Sequence, residues 1–438
     1  MNTQLAYPET QPITPPPPEH PAPRVARLSD RQVMLCLAAS MALQMTSFVM
    51  ILPLFARRFA QLGAGVSELG TSEMAYALAA TAAAPFMGGL ADRFGRRPLL
   101  LVSLAVYILA FTGYLLAPSA FVFIVLRTLA GAFTAGMMPA ATGMVADLAP
   151  ADRRAQWIGV ISGGASFGWI AGPVLGGLLY DRWGYAVALL AAISIAGLAF
   201  LLALGSVRET RTSCALRPAA SDSGTARPSL RANLPPLLGP LAAVLFTYFG
   251  VMFAWAFIEP RFMFYAYEDL GWKSSMLGLV MSTYGIAMML GEFGLGRLSD
   301  RLGRKPVIVG GLLLFSAQFV GLAFSRDATV IALAFVIAGL GNALFDPALS
   351  ASVLDLAPAE HRARLLGLKS TVGSVGSIAG PALVVMVGPL LQAQGIFLAA
   401  SAIVFVIAMV AIGSRQQSAG SPQPVIHSSG PATGDREW

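Results

Sequence analysis

Asp92-Arg93-Phe94-Gly95-Arg96-Arg97-Pro98 recurs as Asp300-Arg301-Leu302-Gly303-Arg304-Lys305-Pro306, an offset of 208 residues. Each copy is a dense knot of charge between long apolar runs. The offset persists beyond it: Pro139 to Pro173 aligns without a gap on Pro347 to Pro381, with 18 of 35 positions identical. The identities include Asp147 with Asp355, the Leu-Ala-Pro-Ala that follows each, and Gly172-Pro173 with Gly380-Pro381. The chain is one unit used twice.

The flanking runs identify the solvent. Of 438 residues, 56% are hydrophobic and 12% charged, too apolar for a soluble two-domain protein. Met74 to Leu90 and Pro98 to Pro118 hold no ionisable group except phenols, and such runs reach the roughly 20 residues that cross a hydrocarbon core. Spans are expected near 32–56, 74–91, 98–117, 120–146, 155–180, 184–204, 238–264, 275–298, 306–324, 328–353, 363–388 and 392–413. The expected fold is all-α: twelve transmembrane helices in two six-helix bundles, 31–205 and 237–413. A polar linker over 206–236 joins them, and a proline-rich tail (1–30) and a C-terminal tail (414–438) are expected to be disordered. With both termini in the cytoplasm, 21 of the 29 Lys and Arg residues fall on the cytoplasmic side, the bias that sets topology. An even number of spans per copy sends both copies into the membrane the same way, as in transporters whose halves are related by an axis along the membrane normal.

Other classes are disfavoured. The net charge of +7 sits in short clusters between apolar runs rather than on one face, so no nucleic-acid partner is expected. Cys36 lies in an apolar run and Cys214 in the linker, giving neither a disulfide framework nor a metal-ligand spacing. The first thirty residues lack the apolar core and cleavage site of a secretory signal. No nucleotide loop, metal cluster or nucleophile-base constellation suggests an enzyme, a metal or a cofactor.

Three motifs carry chemistry. The first is Gly88-x-x-x-Asp92-Arg93-x-Gly95-Arg96-Arg97, repeated from Gly296 to Lys305 through Asp300, Arg301, Gly303 and Arg304. The second is Arg127-Thr128-Leu129-Ala130-Gly131, an arginine inside the fourth span. The third is Gly159-x8-Gly168-x3-Gly172-Pro173-x2-Gly176-Gly177 in the fifth. In these residues, over about 31–413, the chain resembles the major facilitator superfamily, specifically its twelve-helix drug:proton antiporter branch.

The resemblance implies that the first motif is a cytoplasmic latch, in which Asp92 caps the eleventh helix and Arg96 pairs with Asp147. Asp300, Arg304 and Asp355 are the second-half counterparts. The plainer reading makes these charges topology anchors. The resemblance links Arg127 to proton coupling. The first span offers no acid as its partner, only Gln44, Thr46 and Ser47, and the plainer reading is a snorkelling arginine. The third motif marks exporters within the family, and its small residues let helix backbones approach closely. The second half keeps Gly367, Gly376, Gly380 and Pro381 but has Val384-Val385 in place of the last glycine pair.

A proton-driven carrier needs an embedded acid whose proton affinity changes as the cavity turns. Glu259, Glu292 and Asp346 qualify by depth. Glu259 lies in Trp255-Ala-Phe-Ile-Glu259-Pro260-Arg261 and either titrates or forms an interfacial salt bridge with Arg261 or a loop charge. Asp346 stands where the first half has Met138, so the repeat does not require an acid there. Lys369 has a similar depth on the next helix, which allows an ion pair with Asp346 and two readings of it, a fixed charge or a proton switch. Glu292, two turns above Asp300, is a mouth residue or a latch element.

Gln44, Phe48, Met137, Met138, Tyr248, Phe253, Trp255, Tyr284 and Met288 are the candidate cavity residues, aromatic, thioether or weakly polar. Such surfaces repack around different amphipathic compounds, and they also simply fill helix interfaces. The reading is a multi-pass carrier of the bacterial inner membrane, acting as a monomer in the lipid bilayer on a small-molecule cargo and protons. Its alternatives are a transporter of one defined metabolite, lipid or siderophore, and a non-transporting membrane sensor.

Overall fold

The computed structural model describes residues 29–150, 153–210, 235–295, 298–356, 361–388 and 390–413. Most of the expected tails and linker, Gly296, and the side chains of Asp92 and Asp300 lie outside that description. The described residues are almost entirely helical. They form α1 (Asp30–Ile51), α2 (Leu54–Gln61), α3 (Val66–Phe94), α4 (Arg96–Leu116), α5 (Ala120–Thr134), α6 (Met137–Leu148) and α7 (Arg154–Ser206) in the first half. The second half holds α8 (Pro235–Phe264), a π-helical turn (Tyr265–Asp269), α9 (Ser274–Leu295), α10 (Leu298–Leu302), α11 (Arg304–Phe315), α12 (Ala317–Phe324), α13 (Ala328–Leu356), α14 (Arg362–Val387) and α15 (Ala393–Gly413).

Polar side chains just outside the apolar runs fix where helices begin, because the first N–H groups of a helix lack intrahelical partners. Ser29 and Gln32 form a reciprocal capping box on α1. Glu68 Oε2 accepts from the Gly65 N–H at 2.8 Å and starts α3 eight residues before the expected span at 74. That earlier start brings Glu73 into the second span. Asp327 Oδ1 accepts from the Thr329 N–H at 2.7 Å ahead of α13.

Among the described residues, eleven helical stretches, with α5–α6 and α11–α12 each counted as one, are long and apolar enough to cross a membrane, and one of them, α7, makes two crossings. The 53 residues of α7 would reach about 80 Å as one rod, against a hydrocarbon core of about 30 Å. Gly184, at φ 82° and ψ −179°, turns the chain back in a conformation that side chains resist. The reversal shows in α1, where Ala38 lies against Gly164 before the turn and Ser40 Oγ donates to the Ala199 carbonyl after it, at 2.8 Å. The count is twelve spans, with α1–α7 and α8–α15 forming two six-span bundles.

The bundles meet along two seams related by the offset of 208. In the first, α7 lies on α9: Gly177 faces the Ser274 and Ser275 backbone, and Gly278 faces the Pro173 carbonyl, with no room for a Cβ. Ser282 Oγ donates to the Ile170 carbonyl at 2.7 Å. In the second, α3 lies on α14, where Gly70, the counterpart of Gly278, faces Val384 and Val385, the counterparts of Gly176 and Gly177. One seam is backbone against backbone; the other is spaced by valines.

Both seams lie toward the end opposite the two charged motif loops, and that end is sealed. The Asp181 carboxylate crosses between bundles to accept from the N–H groups of Ser274 (3.0 Å) and Ser275 (2.8 Å), capping α9. Tyr267, presented by the π turn, donates to the Pro53 carbonyl at 2.8 Å. Arg57 donates to the Trp272 carbonyl at 2.9 Å and lies 4.1 Å above the Tyr267 ring. Toward the motif end, the pseudo-equivalent Met138 and Asp346 are 37% and 46% exposed, and Glu292 is exposed as well.

Gly177→Val would give the tight seam the residue that the other carries. Overpacking costs roughly 1–3 kcal/mol, so the sealed state is expected to lose about five- to hundredfold in population. A cysteine at the buried Ser274 should react correspondingly faster with an impermeant maleimide; an unchanged rate would show that the seam does not hold that end shut.

Candidate functional site

The deepest charge belongs to Arg127 on α5, whose side chain is 1% exposed. One terminal nitrogen donates to both carboxylate oxygens of Glu73 on α3, at 2.9 and 2.8 Å. The guanidinium lies 4.6 Å from the Phe55 ring centre, 4.5 Å from Tyr76 and 5.5 Å from Phe48, surfaces that favour a cation. A buried arginine needs such compensation. Glu259, on α8 of the other bundle, is close enough to interact electrostatically with both Glu73 and Arg127.

Sequence reasoning looked for the partner of Arg127 in the first span, whereas the structure supplies it from the second. Glu73 stood one residue outside the expected boundary. The signal that could have found it is Glu68, whose capping position moves the helix start outward. The interfacial salt bridge considered for Glu259 is also corrected: Arg261 pairs with Asp269 at 3.3 Å.

A cavity of about 280 Å³ lies in the second bundle, lined by Trp169, Val251, Met252, Trp255, Met281, Tyr284, Met288, Phe315, Phe335 and Asn342. Trp255 and Tyr284 stack at 6.2 Å with planes 16° apart. Asn342 donates to Met288 Sδ at 3.0 Å. Of the nine candidate cavity residues, Trp255, Tyr284 and Met288 line this space. Phe48 instead packs on Tyr76 and Tyr107, Phe253 stacks between Phe249 and Phe257, and Met137 is buried. Gln44 is fully buried, with neither amide atom hydrogen-bonded, and Met138 faces the open end.

The offset connects the two sites. Subtracting 208 from Met281, Tyr284, Phe315, Phe335 and Asn342 gives Glu73, Tyr76, Tyr107, Arg127 and Thr134. The aromatic pocket of one bundle therefore stands where the other holds its buried charges.

Lys369 and Asp346 meet: Lys369 Nζ donates to Asp346 Oδ1 and to Ser350 Oγ, each at 2.7 Å, and lies 4.2 Å above the Tyr248 ring. The lysine side chain is 8% exposed against 46% for the aspartate, so water reaches the pair through its acid. Glu292 on α9 senses the Asp346 charge and belongs with the open mouth.

Both motif loops repeat one pairing. Arg96 lies 2.5 Å from Asp147 and also donates to the Gly143 carbonyl; Arg304 pairs with Asp355 at 3.1 Å and donates to Ser299 Oγ at 3.0 Å. Gly95 and Gly303 take φ 99° and 87°, letting each chain turn from one helix into the next. Gly88 faces open space, and Arg93 and Arg301 are exposed. The first loop has a further partner that sequence reasoning assigned only to the linker. The Glu209 carboxylate accepts from the N–H groups of Arg96 (3.2 Å) and Arg97 (3.1 Å), capping α4. Beside it, Thr210 Oγ1 donates to Asp147 at 2.8 Å.

Two bundles that share buried sites and are sealed at one end are the architecture of a membrane transporter. The Major Facilitator Superfamily profile matches residues 34–265 and 240–429, and the chain belongs to that family. It is 28% identical over 337 residues to a class G tetracycline resistance protein of Vibrio anguillarum, covering 76% of this chain and 83% of that one. It is 25% identical over 350 residues to the multidrug resistance protein MdtG of Klebsiella pneumoniae, covering 79% and 83%. Among solved structures, a bacterial homologue of the human lysosomal transporter Spinster, inward-facing and occupied, superposes with a TM-score of 0.69 at 15% identity, covering 87% and 95%. The nucleoside transporter NupG reaches 0.71 at 15%, covering 87% and 98%. The protein is thus a multi-pass membrane protein.

Arg127→Ala would strand the Glu73 carboxylate in apolar surroundings at a cost of roughly 3–5 kcal/mol, visible as a lower unfolding midpoint in detergent. The pair Arg127→Phe with Glu73→Met, copying Phe335 and Met281, removes both charges and should recover most of that loss. A double variant as unstable as the single one would show that the ion pair is not what the arginine satisfies.

Proposed function

We propose that this protein exports hydrophobic and amphipathic compounds in exchange for protons, by alternating access. The observation that carries the reading is the place of Glu259. It is within electrostatic reach of the Glu73–Arg127 pair of the opposite bundle, and one helical turn from the pocket-lining Trp255 on α8. A proton taken up or released there is felt by both bundles and by the cargo pocket at once. The Lys369–Asp346 pair, open to water on its acid side, is the second coupling candidate. With the termini and motif loops in the cytoplasm, as the charge bias asks, the open end faces inward. The Arg96–Asp147 and Arg304–Asp355 pairs then belong to the latch that engages when that end closes. The tight α7–α9 seam, the resistance proteins among the relatives and the aromatic pocket support the direction and the cargo. The carrier acts as a monomer in the bilayer, with 31–205 and 237–413 as its moving bodies.

A narrower cargo range has one observation in its favour: the cavity of about 280 Å³ is at the small end for ligand pockets. Proteoliposomes enclosing a pH-sensitive dye test both readings. With an imposed proton gradient, ethidium is expected to drive proton flux in the wild type. Glu259→Gln should abolish it while leaving ethidium binding, and Asp346→Asn should reduce it less. Wild-type flux with none of several lipophilic cations or neutral drugs would move the assignment to a single defined cargo. Flux intact in both variants would remove these acids from the coupling.

A further inference from the structure

Nine of the ten residues that line the aromatic cavity come from the second bundle, and one, Trp169, comes from the first. It stands inside the glycine motif of α7, directly after Gly168, at a position whose counterpart on α14 is Ser377. Two contacts with α9 hold its backbone in place. A Cβ on Gly285 would lie 3.1 Å from the Trp169 carbonyl oxygen, and Ser282 Oγ donates to the next carbonyl, that of Ile170, at 2.7 Å. The backbone of α7 thus rests on α9 through small residues, and Trp169 lines the space together with Tyr284, Trp255 and Phe335.

We propose that Trp169 makes the affinity of the pocket for a planar aromatic ligand depend on the orientation of the bundles. The other nine walls move as one body. When the bundles rock, those nine keep their mutual geometry while Trp169 travels with α7, so the pocket is complete in one orientation and lacks a wall in the other. A ligand shifts a conformational equilibrium only by its difference in affinity between the two states, and Trp169 is where that difference is generated.

The chemistry of the walls sets the ligand class. Three of the walls are the aromatic residues Trp169, Trp255 and Tyr284, the last two stacked on each other at 6.2 Å, and such walls suit an aromatic body. No acid or base is among the ten. The carboxamide of Asn342, now spent on a thioether sulfur at 3.0 Å, is free to exchange that weak bond for a ligand oxygen or nitrogen.

This inference rests on the transport reading for its two orientations, but its test needs no proton gradient. Spin labels on Ala60→Cys and Glu268→Cys, both exposed near the sealed end on opposite bundles, report bundle orientation in a Cys36→Ser, Cys214→Ser background. Saturating ethidium is expected to redistribute the distances about tenfold in the protein with Trp169, the signature of a comparable difference in affinity. Trp169→Ala should still bind ethidium, with affinity weakened up to about tenfold, but show no redistribution, and Trp169→Phe should restore part of it. A Trp169→Ala protein that redistributes as fully as the wild type overturns the proposal. So does loss of binding in both variants, which would make the indole an ordinary wall, and so does a wild type that does not bind ethidium. Normal redistribution without ethidium-driven proton flux would instead overturn the antiport reading and leave this one standing.

Discussion

The arrangement depends on two helices touching backbone to backbone. Where α7 meets α9, Gly177, Gly278, Ser282 and Gly285 remove the side chains that would hold the axes apart, and packing and hydrogen bonds draw the helices together where lipid offers no hydrophobic drive. Everything else near that end follows from this proximity. Asp181 can reach the first N–H groups of α9 only because the chains are already in contact. The Tyr267 and Arg57 contacts complete a seal that the glycines make possible. The valine-spaced seam between α3 and α14 is the same element with its closest approach relaxed, so the pseudo-twofold of the fold is not a twofold of its energetics.

The same asymmetry runs through the buried sites. Position by position, the second bundle holds Phe335 and Met281 where the first holds Arg127 and Glu73. At these two positions one unit, duplicated, has diverged into an ion pair in one half and apolar side chains in the other. Each half lends the other one residue: Glu259 approaches the charges, and Trp169 closes the pocket. A group that belongs to one body but lies at the site of the other is what lets chemistry at a site bear on the position of a bundle.

Much of this was legible in the sequence, for physical reasons. The hydrocarbon core demands long apolar runs, so the span count could be read. Duplication displayed the charged loops twice, and counting residues from a short loop brought Lys369 and Asp346 to one depth. What stayed hidden was which face of each helix looks inward. In water a helix declares its buried face by an apolar stripe, but in a bilayer both the core and the lipid side are apolar, and the stripe fades. Phe253 and Trp255, two residues apart on α8, looked alike in sequence, yet one packs in a stack of phenylalanines and the other lines the pocket. Glu73 was missed for a different reason, because hydropathy marks where apolar residues begin and not where the helix does.

The ion pairs carry a consequence for how the membrane voltage acts on the carrier. Arg127 and Glu73 cancel as charges, and so do Lys369 and Asp346. Among these embedded groups that leaves Glu259 as the one whose charge has no cation of its own. A charge moved across the membrane field is worth about 2.3 kcal/mol per 100 mV, whereas a neutral pair crossing together feels almost nothing. The paired residues can thus shift with their bundles at little electrical cost, and on the antiport reading proposed above the field acts chiefly through Glu259, since Glu292 is exposed at the open mouth. On that reading the occupancy of Glu259, by a proton or by nothing, decides whether a bundle moves as a neutral body or as an anion.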